Sequence, residues 1–164
     1  MLFTFACFTL AVGAGVAAAS EPHGTHGRGA LGPVAEVRND DGRDRELARV
    51  VADYVGLYTR DTLPAWRKLF LTSFVAGSAR PDGTALVRSL DEFYEAQRRY
   101  FETGKAIRET LENVRIERHG RLASVWADFV LEEEGERSRG RLVLTLIEAE
   151  GSFKIHSLLF SYGP

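Results

Sequence analysis

Apolar residues in the middle of this chain recur with a helical period. Leu47, Val50, Val51, Tyr54 and Tyr58 fall at i, i+3, i+4, i+7 and i+11, while Arg45, Glu46, Arg49, Asp53 and Arg60 lie mostly off that stripe. The pattern predicts an amphipathic helix beginning near Arg43. Asp61 or Thr62 restarts the chain, and Pro64 suits the first turn of a short second helix running through Trp66, Leu69 and Phe70. Residues 76–84 (AGSARPDGT) read as a loop, with Pro81-Asp82-Gly83 as its turn signal. Ser89 and Glu92 then form the S-x-x-E pattern of a capping box. Leu90, Phe93, Tyr94, Tyr100 and Phe101 continue that helix until Gly104 ends it.

From Ile107 the period changes to two. Residues 107–119 predict a first long strand, with a bulge where the alternation slips between Leu111 and Val114. After a turn at His119-Gly120-Arg121, residues 122–132 place Ala123, Val125, Ala127, Phe129 and Leu131 on one face. Gly135 marks the next turn, residues 139–148 a third strand, and residues 153–162 a fourth, joined to the third by Glu150-Gly151-Ser152. Connections this short require antiparallel neighbours. The third strand is apolar on both faces (Leu142, Val143, Leu144, Leu146, Ile147), which predicts a central position. The expected fold class is therefore α+β: N-terminal helices packed on one face of a curved antiparallel sheet of four strands or more.

The first nineteen residues change the picture of where the protein works. Met1 to Ala19 carry no charge, Leu2 to Val12 are largely apolar, and Ala17-Ala18-Ala19 offers the small-x-small pattern of a signal-peptidase site. No Lys or Arg precedes the apolar run, and a retained membrane anchor is the alternative. The expectation is a signal peptide over 1–19, a Gly/Pro-rich flexible linker over 20–42, and one domain over 43–164, exported to a periplasm or the medium. The single cysteine, Cys7, lies inside the signal segment, so the mature protein would have no disulfide and no thiol chemistry. The net charge of -2 lacks the basic excess of a nucleic-acid binder. No membrane contact is expected once the signal is removed. No metal or cofactor motif is present, and His23 and His26 read as part of a solvated tail.

The terminal hairpin, Gly151-Ser152-Phe153-Lys154-Ile155 running to Ser161, and the turn Gly120-Arg121-Leu122-Ala123 resemble the NTF2-like superfamily, which includes SnoaL-like and ketosteroid-isomerase-like proteins. The resemblance covers roughly Arg45 to Pro164. It implies a cone-shaped α+β fold, polar groups inside the cone on the first helix and inner sheet face, and a homodimer formed through the sheet. Relatives often carry histidines in the last strand; here Ser157 and Leu159 hold those places, and His156 points to the other face.

The function candidates follow from chemistry that such residues can perform. Asp128, mid-strand among apolar neighbours, would have a raised pKa and could act as a general acid, or be paired with an arginine. Tyr54 and Tyr58 could donate hydroxyls into a pocket or pack as core aromatics. Asp53 could be a general base at the cone mouth, or a solvated helical carboxylate. The candidate catalytic residues are Asp128, Tyr54 and Asp53. The candidate ligand pocket comprises Tyr54, Tyr58, Trp66, Tyr94, Trp126, Asp128 and Ser157. The leading expectation is binding of a small apolar or aromatic ligand in the cone. The alternatives are a cofactor-independent acid/base enzyme (isomerase, dehydratase or hydrolase) and a non-catalytic dimerisation or scaffold domain.

Overall fold

The computed structural model describes residues 42–80 and 83–163. The segments read from the sequence as a signal peptide and, up to residue 41, as a linker, with His23 and His26, lie outside the described residues.

The elements run α1 (Arg43–Gly56), α2 (Leu63–Arg67), β1 (Phe70–Ala79), β2 (Ala85–Ser89), α3 (Leu90–Glu102), β3 (Ile107–His119), β4 (Leu122–Glu133), β5 (Glu136–Ala149) and β6 (Ser152–Tyr162). Each helix forms where the sequence provides for it. α1 buries Leu47, Val50, Val51 and Tyr54, and α2 begins with Pro64 in its first turn. In α3 the capping box is complete: the Ser89 hydroxyl accepts from the Glu92 N–H, and the Glu92 carboxylate accepts from the Ser89 N–H at 2.8 Å. Gly104 follows it at a φ of 77°, a conformation costly for any residue with a Cβ.

The strands form one six-stranded sheet in the order β2-β1-β6-β5-β4-β3. β5 sits inside it, paired on both sides, as its two apolar faces require. The expected bulge in β3 is present: pairing jumps from Glu112↔Asp128 to Arg115↔Trp126, and Asn113 takes a φ of 53°. Two strands differ from the sequence reading. Phe70, read as the end of a helix, and residues 76–79, read as loop, belong with 71–75 to β1, and residues 85–89 form β2. β1 runs parallel to β6, which is feasible because β2, α3, β3, β4 and β5 lie between them in the chain.

All three helices cover one sheet face. The core joins Leu47, Tyr54, Leu63 and Trp66 to Phe93 and Phe101, and to the inward residues of the sheet such as Val125, Phe129, Leu144 and Ile155. The inner face is therefore set by the odd positions of β4 and the even positions of β5. The other face carries Trp126, Asp128, Val143, Ser157 and Leu159.

Candidate functional site

The interior is built on aromatic rings. Trp66 is 1% exposed and its ring lies 5.9 Å from Tyr54, 5.2 Å from Tyr58 and 4.6 Å from Phe70. Its indole N–H donates to the Tyr54 carbonyl at 2.8 Å, which satisfies a polar atom that burial would otherwise leave unpaired. Phe129 on β4 packs edge-on against Phe160 and Tyr162 of β6. Its ring stands where Gly140 of β5 has no side chain: a Cβ there would come well within 3.0 Å of that ring.

The half-buried Glu109 side chain reaches this apolar surround from β3. Glu109 lies on β3 between Ile107 and Leu111, both packed against the core, and opposite the buried Leu131. Burial pushes its carboxyl up to about 7, against an ordinary 4.5, and a hydrogen bond from the Tyr54 hydroxyl pulls in the opposite direction. Tyr54 is held well above the ordinary phenol range, first by its own burial and then by the charge of Glu109. The phenol thus stays protonated and donates, while the carboxyl is poised between acid and base near neutral pH. Tyr58 donates to Gln97 of α3 beside them.

The candidates named from the sequence divide between two faces. Tyr54, Tyr58 and Trp66 come together in the interior with Glu109. Tyr94 lies at the edge of the core, with the Arg67 guanidinium 5.0 Å above its ring. Asp53 sits on the surface of α1, 3.6 Å from Arg49 one turn back. Trp126, Asp128 and Ser157 are on the outer sheet face, separated from the tyrosines by the sheet itself. The raised pKa expected for Asp128 is reversed: hydrogen bonds from Asn113 and then Arg141 hold the carboxyl below its usual range. In register Asp128 stands between Glu112 of β3 and Arg141 of β5, so the arginine-paired alternative describes it. Ser157 spends its hydroxyl on Thr145, 2.6 Å away. His156 is the residue added by a bulge, since Leu146 pairs with Ile155 and Thr145 with Ser157.

Glu109 was the residue missed. The signal was available in the alternation of β3: Ile107, Glu109, Leu111 places a carboxylate on the apolar register. Among the described residues no three His, Cys, Asp or Glu side chains gather as metal ligands would.

Residues 48–163 match the family model of the SnoaL-like domain. Among curated proteins none matches the chain by sequence. Solved structures match its fold. One is a candidate dehydratase of the NTF2-like family from Streptomyces avermitilis (14% identity, TM-score 0.64, 76% of this chain and 98% of that one). Another is an NTF2-like protein of unknown function from Shewanella baltica (13%, 0.60, 76% and 97%). A third is the beta subunit of benzoate 1,2-dioxygenase from Burkholderia mallei (12%, 0.61, 73% and 89%). At such identities the likeness concerns the fold alone.

Proposed function

The chain belongs to the SnoaL-like domain family, and on that premise we propose that it binds a small apolar or aromatic molecule between α1, α3 and the inner sheet face. The observation that carries this reading is the Tyr54–Glu109 pair, a protonated phenol and a carboxyl shifted to about 7, set among aromatic rings. Ligand sites join an apolar wall to a few convergent polar groups. Here the wall would take a ring or chain, and the pair would take a carbonyl or hydroxyl on the ligand.

A second reading rests on the same carboxyl. A group that titrates near neutral pH is a competent general acid or base, so cofactor-free proton transfer is the chemistry the pair would support. The protein would work after export, cleaved near Ala19, as a homodimer joined through the outer sheet face. Exposed Val75 and Leu159 on that face support the pairing.

The test is a screen of small apolar and aromatic ketones, phenols and alcohols by protein-observed NMR. Binding in the interior predicts shift changes centred on Tyr54, Glu109 and Phe129, weakened by Tyr54→Phe. No perturbation across the set, or perturbation confined to the outer face, overturns the reading.

A further inference from the structure

The outer sheet face holds a groove of about 290 Å³ lined by Asn113, Arg115, Trp126, Ala127, Asp128 and Arg141. The β3 bulge makes it. Asn113 and Val114 together oppose Ala127, and the turned backbone at Asn113 brings its amide to the Asp128 carboxylate at 2.8 Å. The other carboxylate oxygen accepts from Nε of Arg141 at 3.1 Å. Asp128 is thereby occupied on both oxygens, and its role is to fix the guanidinium. With Nε engaged, the terminal nitrogens of Arg141 are left for another acceptor, on a side chain 73% exposed. Arg115 is 71% exposed and only 3.7 Å from Glu117 through its Nε. Between these two cations stands Trp126, 42% exposed.

We propose that this groove is a second binding site, separate from the interior one, for a small organic oxyanion whose flat body lies on Trp126 and whose carboxylate or phosphate is held by Arg141 and Arg115. The groove's lining carries two guanidiniums and one carboxylate, with Glu117 beyond it 3.7 Å from Arg115. A planar guanidinium fork pre-oriented by a carboxylate suits an oxyanion better than a lysine would. An isolated ion pair on an exposed surface adds little stability, so fold maintenance alone does not account for the Asn113–Asp128–Arg141 chain beside an open tryptophan.

The experiment titrates the protein with benzoate, phenyl phosphate and inorganic phosphate, following backbone and tryptophan indole NMR signals. The expected result is saturable shifts at residues 113–115, 126–128 and 141, with either organic anion tighter than inorganic phosphate. Preference between the first two separates a carboxylate ligand from a phosphate ligand. Arg141→Gln should weaken binding about tenfold or more, the loss of a charge-assisted contact, and Arg141→Lys by less. Arg115→Gln provides a second variant, and both substitutions are at exposed positions where the thermal midpoint should hold. Absence of saturable shifts, indifference to both arginines, shifts centred on Tyr54 and Glu109, or a dimer that buries Trp126 would each overturn the proposal.

Discussion

Glu109 makes the sharpest demands at the level of single residues. Its carboxyl has an ordinary value of 4.5 and a folded value of about 7. Below the lower value both folded and unfolded chains hold the proton, and the group contributes nothing to pH dependence. As the pH rises from 4.5 to 7 the unfolded chain releases its proton first, so this group lowers stability across that window and adds no further slope above it. Glu109→Gln keeps a partner for the Tyr54 hydroxyl and removes the titration. Urea midpoints should then show the variant gaining on the parent through the window, by ~3 kcal/mol at most near pH 8; parallel profiles would refute the assignment. Tyr54→Phe acts oppositely on the carboxyl. It deletes the hydrogen bond that favours the charged form, so the Glu109 pKa should climb above its present value in a carboxyl-detected NMR titration. These residues also mark how far the sequence could be read. The α1 stripe located Tyr54 and Tyr58, because helical period reveals which side chains turn inward. The strand alternation could equally have located Glu109. The sequence points instead to Asp128, whose neighbours in sequence are apolar but whose neighbours in space, Asn113 and Arg141, come from other strands. Charge pairing across a sheet depends on register, and register is not printed in a single strand.

At the level of elements, the long strands and α3 were legible because their punctuation is local. The capping box and the glycines at the turns fix ends without reference to the rest of the chain. Replacing the cap, Ser89→Ala, should cost about 1 kcal/mol in a denaturation midpoint, with little change in the ligand site. β1 escaped for a physical reason. Its pairing with β6 shifts register between Phe70 and Val75, which breaks the period of two. Buried Phe70 and Phe74 are left four apart, at helical spacing. Its parallel partner β6 lies far along the sequence, and its antiparallel partner β2 is only five residues long and follows directly across the segment read as a loop. The close approach at Gly140 was likewise hidden, since a glycine in a strand does not say whose ring it admits. A Cβ there would strike both the Phe129 ring and the Ser161 backbone oxygen. Gly140→Ala should therefore destabilise the fold by about 1–3 kcal/mol, as overpacking does. It should also disturb Phe129 and Tyr162 shifts at the edge of the interior site. A wild-type midpoint would mean that the strand has room to yield.

For the molecule as a whole, the outer face is where the proposed homodimer would form. Register places Gly77, Leu159, Val143 and Trp126 in one row across β1, β6, β5 and β4, beside a second row of Val75, Ser157, Thr145 and Ser124. Leu159 is 54% exposed and leans over Gly77, where an added Cβ would meet its Cδ2 at 2.8 Å. The charged groups Arg141, Asp128, Arg139 and Glu112 are paired with one another along one side of these rows. Small and apolar residues in the middle with ion pairs at the margin form a surface able to meet a copy of itself about a two-fold axis. A dimer centred on Val75, Ser157 and Leu159 would cover the β1 and β6 ends of these rows and leave the Trp126 groove, at the β4 end, on its rim. Sedimentation of residues 43–164 at micromolar concentration should give a dimer, and Leu159→Asp should give a monomer, because two copies of the buried charge would face each other across the axis. The interior core lies on the opposite side of the sheet from Leu159, so the monomeric variant should retain ligand shifts at Tyr54 and Glu109. If it loses them, the two faces are coupled through β5 and β6, and pairing belongs to the function. If the parent is already monomeric, the exposed rows have some other partner and the homodimer is excluded.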